Sequence, residues 1–140
     1  MFVNLMSSRV RYAETDQMGV VYYGNYPQYF EIGRVEALRS LNLSYKEMEE
    51  QGIILPVLKL EVKYVAPATY DDLLEIRTEI REMPSTRITF HHEIRNEAGK
   101  LLTIGMVQLV FVDRKPNRPT TAPQYFLDKI KPFLEDSESN

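Results

Sequence analysis

Beyond Gly52 the apolar positions of the chain recur every second residue, and they do so for about sixty residues, the signature of strands with one buried face. Leu58, Leu60, Val62 and Tyr64 fall on one side, and Lys59, Glu61 and Lys63 on the other. After a turn over Pro67–Asp72, Leu74, Ile76, Thr78 and Ile80 alternate with Glu75, Arg77, Glu79 and Arg81. The Pro84-Ser85 break separates these from Ile88, Phe90, His92 and Ile94, which alternate with Thr89, His91, Glu93 and Arg95. Asn96–Gly99 predicts a hairpin connection. From Leu101 to Val112 both sides are apolar except at Gln108, so this strand is expected at the centre of the sheet and covered on both faces.

Before Gly52 the period is that of a helix. Tyr26, Phe30, Gly33, Ala37 and Leu41 form one stripe, with Glu31, Arg34 and Arg39 left for the wetter side. This predicts a helix of about four turns, with Asn25 as its cap, Gln28 reaching back to it, and Pro27 in the first turn. The small pair Gly33 and Ala37 suits close packing on a sheet. A second, short helix is signalled by Ser44 with Glu47, stapled by Leu43 against Met48 and ended by Gly52. Upstream, Val10 and Tyr12 alternate with Arg9 and Arg11 as a short first strand. At the other end Asp113–Pro123 reads as a stiff loop carrying Arg114, Lys115 and Arg118, followed by an amphipathic helix bearing Tyr125, Phe126, Ile130, Phe133 and Leu134. One long helix followed by antiparallel strands is an α+β arrangement. A single helix covers one face of such a sheet, so part of the other face is expected to meet another subunit, in a homodimer or homotetramer.

Composition adds mainly exclusions. A net charge of -3 and an isoelectric point near 5.5 leave no basic footprint for nucleic acid or an anionic membrane. The absence of cysteine removes thiolate nucleophiles, disulfides and zinc-thiolate sites. No run approaches the ~20 apolar residues of a membrane span, and the first residues lack a signal peptide's basic start and apolar core. The expected location is therefore the cytoplasm. His91 and His92, adjacent on a strand, point to opposite faces, so no metal site is expected, and His92 reads as a satisfied core residue. No Gly-x-Ser-x-Gly elbow supports a serine triad.

The chemistry concentrates in one stretch, Glu14–Tyr26, ETDQMGVVYYGNY, where a carboxylate, Asp16, lies a few residues ahead of a helix start. A helix N-terminus offers unpaired N–H donors that suit a developing oxyanion. A lone Asp there would read as a turn residue. The motif, however, resembles the signature of the 4-hydroxybenzoyl-CoA thioesterase and related acyl-CoA thioesterases: Asp16, Gly19, Val21, Tyr22, Asn25 and Tyr26 match it, as does the turn at Tyr70–Asp72. The resemblance covers nearly the whole chain and implies a hotdog fold, a long central helix wrapped by a curved antiparallel sheet of about five strands. One such domain over 1–135 is expected, with a disordered tail at 136–140.

By the same resemblance the chain is a thioester hydrolase that takes acyl-CoA and needs no cofactor. Asp16 would be nucleophile or general base, and the backbone N–H of Tyr23 would polarise the thioester carbonyl. Leu55, Pro56 and Val57 would wall the acyl pocket, and Ser85, Thr86 and Arg87 would meet the CoA phosphates, with Arg114, Lys115 and Arg118 adding from a neighbouring subunit. Many relatives carry His where Tyr23 stands, so an assisting imidazole is lost while the backbone donor is kept. Another clade uses a Glu on the central helix; Glu31 and Glu36 lie in no matching motif and are expected to pair with Arg34 or Arg39. A non-catalytic acyl-CoA-binding protein is the alternative, and a dehydratase a weaker third.

Overall fold

The computed structural model describes residues 1–138, with side chains to Leu134; of the tail expected at 136–140, residues 139 and 140 lie outside the described residues. Its elements in chain order are β1 (Phe2–Arg9), α1 (Tyr26–Ser40), α2 (Tyr45–Glu50), β2 (Ile53–Ile54), β3 (Val57–Tyr64), β4 (Leu73–Ile80), β5 (Arg87–Arg95), β6 (Leu101–Val110), β7 (Val112–Asp113), β8 (Arg118–Pro119) and α3 (Gln124–Glu138). The main sheet is antiparallel with strand order β1-β4-β5-β6-β3. α1 lies along its inner face, which is the hotdog arrangement.

The alternation carried by β4 and β5 sorts these strands as expected: Leu74, Ile76, Thr78, Ile80, Ile88, Phe90, His92 and Ile94 are all buried. Glu79, on the outer face, is also largely buried, because Arg77 and Arg81 flank its carboxylate at 3.3 and 3.1 Å. The 96–99 hairpin closes through the Gly99 N–H to the Asn96 carbonyl, with Gly99 at φ +82°. β6 is central, between β5 and β3. Within one chain, however, its outer face is only partly covered, with Ile104 exposed and Met106 and Val110 half-buried.

Two glycines let α1 approach the sheet. A Cβ on Gly33 would lie 2.7 Å from Thr78 Oγ1 and 2.9 Å from Ile76 Cγ2, so the helix backbone rests almost directly on β4. On β6, Gly105 receives the ring of Phe30, which is fully buried. Tyr26, Ala37 and Leu41 complete the expected stripe. Arg34 does not take the wet side expected of it. It is 8% exposed, because α2 folds back and lays Tyr45 beside it, a contact that α1's own pattern cannot register. α2 starts as expected, with Ser44 Oγ accepting the Glu47 N–H.

Three further expectations are corrected. The first strand is not centred on Val10 and Tyr12 but precedes them: β1 pairs with β4 from Phe2↔Ile80 to Arg9↔Leu73, Val10 is buried just beyond it, and Tyr12 is exposed in a 3-10 turn. Asn25 does not cap α1 with its side chain, which instead donates to the Glu14 carbonyl at 2.9 Å. The basic segment 113–123 is not a plain loop: β7 and β8 form a hairpin, and β7 pairs with β2 in a second, three-stranded sheet. α3 closes the core with Phe126, Ile130 and Leu134, the ring of Phe126 set edge-on to Phe111 at 5.3 Å.

Candidate active site

The loop between Glu14 and α1 is built by short-range bonds. Thr15 bridges to Val21, the Asp16 N–H donates to the Val20 carbonyl at 2.9 Å, and the Gly19 N–H returns to the Asp16 carbonyl at 3.0 Å. Gly19 sits at φ +80°, a conformation glycine adopts without a Cβ clash, which lets the turn close. Within it, Asp16 Oδ1 accepts the Met18 N–H at 2.8 Å, and Oδ2 has no donor among the described residues. The carboxylate is therefore oriented by one oxygen and available through the other. The loop is fastened to the 67–72 turn by the Val21 N–H to the Ala68 carbonyl, 2.9 Å, and by a bridge between Val20 and Thr69.

Glu14 anchors the loop's far end twice over. Its carbonyl accepts the Tyr22 N–H and the Asn25 side-chain amide, each at 2.9 Å. Its carboxylate oxygen Oε1 accepts the Arg11 N–H at 2.9 Å and the Tyr29 hydroxyl at 2.8 Å. Burial, and then this bond to Glu14, hold the Tyr29 phenol well above its usual range. The chain then enters a 3-10 turn, Tyr23–Asn25, that runs straight into α1. Its leading N–H groups, those of Tyr23 and Gly24, have no acceptor among the described residues, as expected for the first donors of a helix. A carboxylate and two unpaired amides thus lie on one short loop. Beside them is an apolar depression of about 280 Å³, lined by Val20, Val21, Tyr23, Tyr26, Tyr64 and Val65 among others.

The expected substrate residues lie elsewhere. Pro56 accepts the Val110 N–H at 3.1 Å, Thr86 accepts the Phe111 N–H at 2.9 Å, and Arg87 pairs with Val110. Leu55–Val57 and Ser85–Arg87 are therefore gathered at the end of the sheet where β3 begins. Leu55 is half-buried, and the others are exposed. Tyr23 is tied instead to the end of β3, where the Tyr64 hydroxyl donates to its carbonyl at 2.9 Å. Eight residues of strand separate the two ends, about 25 Å. The single chain gathers Leu55–Val57 with Ser85–Arg87, and Asp16 with Tyr23, but does not bring these two sets together. Arg114, Lys115 and Arg118 are exposed on the β7–β8 hairpin. Glu36 pairs with Arg39, and Glu31 is exposed, so neither points into the loop.

His92 is buried as expected but only half satisfied. Nδ1 shares a hydrogen bond with Thr78 Oγ1 at 3.1 Å, Nε2 has no partner among the described residues, and the ring stacks on Phe30 at 4.8 Å. Burial, with the Arg34 guanidinium and His91 adding to it, pushes the imidazole down to about 3. In the unfolded chain it titrates near about 6.5. Between these values the unfolded chain binds the extra proton, so stability is full above about pH 6.5 and declines on acidification toward pH 3. The unfolding free energy is expected to be about 1–2 kcal/mol lower at pH 5 than at pH 6.5, with a visibly weaker dependence in His92→Gln. Urea titrations at the two pH values check this, and equal slopes for both proteins would contradict it.

Sequence reasoning missed Glu14, Tyr29 and Tyr64. Glu14 stands at the head of the motif without a pattern that reveals its partners, and Tyr64 registers only as an apolar strand position.

A helix laid on a five-stranded antiparallel sheet, with an acid and unpaired amides at the helix start, defines a hotdog protein equipped to attack a carbonyl carbon. The model of the thioesterase-like superfamily matches residues 10–130, and the chain belongs to that family. It is similar to the acyl-CoA thioester hydrolase YbgC of Escherichia coli, 37% identical over 123 residues that cover 88% of this chain and 92% of that protein. The putative acyl-CoA thioesterase YneP of Bacillus subtilis is 32% identical over 128 residues, 91% of this chain and 93% of that protein. Among solved structures, a DHNA-CoA thioesterase from Staphylococcus aureus superposes with a TM-score of 0.89 at 34% identity, covering 99% of this chain and 93% of that one. The resemblance drawn from the motif holds, and with it the hotdog fold and the thioester-hydrolase class.

Proposed function

We propose that the protein hydrolyses an acyl-CoA thioester to the free acid and CoA, with Asp16 as general base or nucleophile and the N–H of Tyr23 polarising the carbonyl. The observation that carries this is the half-free Asp16 carboxylate on the same loop as the unpaired amides of the helix start. As base, Asp16 takes a proton from water while the water oxygen bonds to the carbonyl carbon and the carbonyl pair moves onto oxygen, facing the Tyr23 N–H. Collapse of the tetrahedral state breaks the C–S bond, and the proton passes from Asp16 to the departing sulfur. As nucleophile, Asp16 displaces the thiolate to form a mixed anhydride that water then opens. Free acid and CoA in equal amounts are the expected products on chromatography; an enoyl-CoA from a 3-hydroxyacyl-CoA would reassign the protein to dehydration.

The site draws on two protomers. β3 is an edge strand, with Val57, Leu58 and Leu60 exposed together with Val65 just beyond its end, and its free backbone groups suit pairing with a second copy. Antiparallel pairing of β3 with its symmetry mate sets the start of one β3 beside the end of the other. The partner's Leu55–Val57 would then wall the acyl pocket next to the Asp16 loop. Its Ser85, Thr86 and Arg87 would meet the CoA phosphates, a guanidinium and two hydroxyls suiting phosphate oxygens, with Arg114, Lys115 and Arg118 nearby. The names of the similar proteins, two of which specify acyl-CoA and one DHNA-CoA, support a CoA thioester as substrate. One domain over 1–135 and a cytoplasmic location complete the reading; no helix among the described residues is long and apolar enough to cross a membrane.

Leu60→Glu is expected to convert the assembled protein to monomer by light scattering at micromolar concentration, and to lower activity in step with the assembled fraction. A wild-type monomer that is fully active would contradict the shared site.

A further inference from the structure

We propose that Tyr64 is a positioning residue that fixes the Tyr23–Gly24 peptide, so that the Gly24 N–H joins that of Tyr23 as a second donor to the oxyanion. The inference rests on the thioesterase reading and adds a residue and a donor to it.

The Tyr64 hydroxyl donates to the Tyr23 carbonyl at 2.9 Å, across 41 residues of sequence. That carbonyl and the Gly24 N–H belong to one planar peptide unit, so holding the oxygen orients the N–H at its other end. A donor on the carbonyl also polarises the amide and makes its N–H the stronger hydrogen-bond donor. Tyr64 is suited to this because its own position is determined by other elements. It ends β3 in register with Thr103 of β6, and its ring sits edge-on to Tyr26 at 5.4 Å and to Tyr23 at 6.4 Å.

Gly24 meets the requirement from the other side. A Cβ there would lie 2.6 Å from Cε2 of Tyr22, so the Tyr22 ring lies against this residue as only glycine permits without a shift. The Gly24 N–H has no acceptor among the described residues, and neither has its neighbour at Tyr23. Two successive amides at the start of a helix face the same way, out of its N-terminus, and one oxygen can accept from both. A thioester carbonyl in the ground state accepts weakly, whereas the tetrahedral oxyanion accepts fully, so a better-held pair acts on turnover more than on binding.

The test is Tyr64→Phe in the full-length protein, which keeps the ring and removes only the hydroxyl. On an acyl-CoA that the wild type hydrolyses, kcat is expected to fall about tenfold with KM within about twofold. The amide nitrogen chemical shift of Gly24, which senses the hydrogen bond on the Tyr23 carbonyl through their shared peptide unit, is expected to move, while that of Phe30 in α1 stays as in the wild type. Tyr64→Leu, which also removes the ring, is expected to lower kcat at least as far and to raise KM. Wild-type kcat in Tyr64→Phe would overturn the proposal, as would a loss expressed wholly in KM, or amide shifts that move equally at Gly24 and Phe30. Asp16→Asn run alongside separates the two layers: wild-type turnover by that variant would end the assignment of Asp16, and no thiol release by the wild type from any acyl-CoA would remove the hydrolytic reading. The Gly24 amide shift would still decide whether Tyr64 holds the peptide.

Discussion

Asp16→Asn is expected to lower kcat by about a thousandfold while leaving the fold and acyl-CoA affinity near those of the wild type. The substitution replaces one oxygen by an NH2 of almost the same size, so an amide oxygen still accepts the Met18 N–H that now goes to Oδ1 at 2.8 Å. The turn itself is closed by backbone bonds, Asp16 to Val20 and Gly19 to Asp16, which the change does not touch. What is lost is the basic, negatively charged oxygen, and with it both the proton acceptor for water and any route through an anhydride. The Tyr23 N–H remains, so residual turnover above the uncatalysed rate is expected from carbonyl polarisation and binding alone. Steady-state thiol release, with acyl-CoA affinity measured separately by calorimetry, distinguishes the loss of chemistry from a loss of binding. Turnover like that of the wild type would end the assignment of Asp16.

Gly105→Ala carries the largest expected effect on stability. A Cβ at this position would stand 2.3, 2.4 and 2.9 Å from three atoms of the Phe30 ring, well inside contact distance. Phe30 cannot swing clear, because it is fully buried and stacked on His92. Either β6 or α1 must shift, at a cost of about 3 kcal/mol, which for a chain of this size lowers the unfolding temperature by roughly 8 °C. Phe30 lies one turn into α1, so the same shift disturbs the helix start that presents the amides, and activity is expected to fall with stability. The double variant with Phe30→Leu is the decisive control. If the clash is the cause, the smaller side chain makes room and the double variant costs less than the sum of the two single variants. Additive costs, or a neutral Gly105→Ala, would contradict the packing described.

The elements legible in the sequence are those whose hydrophobic pattern is satisfied by the chain's own core. β4 and β5 show strict alternation because one face of each lies under α1 and its neighbours, and α1 shows its stripe because it lies on that sheet. β1 was misplaced because Asn4 and Ser8 sit on its inner side with Phe2 and Met6, which breaks the alternation. Its strand state is fixed by pairing with β4 and not by its own composition. The β7–β8 hairpin was missed for a related reason: strands of two residues leave no period to detect, and they are held by β2 and by the Arg114 N–H to the Gly52 carbonyl at 2.9 Å.

The site was legible to the extent that it is local. The roles proposed for Asp16, Gly19 and Tyr23 rest on a turn and a helix start that one stretch of sequence encodes. Glu14 and Tyr64 were not legible in their roles, because each depends on a partner brought near by the fold, Tyr29 on α1 and the Tyr23 carbonyl. The separation of the Asp16 loop from Ser85–Arg87 follows from the length of β3, which the alternation delimits, but the proposal of a site shared by two copies requires the sheet order.

The measurement that bears most directly on the account is thiol release by the wild-type protein over a panel of acyl-CoAs of varied chain length and aromaticity, with Asp16→Asn as the paired control. At least one member is expected to yield CoA thiol and free acid in equal amounts with saturable kinetics, and Asp16→Asn to bind that same compound without releasing it. Saturable binding by the wild type with no thiol released from any member would contradict hydrolysis and leave a protein that only binds acyl-CoA.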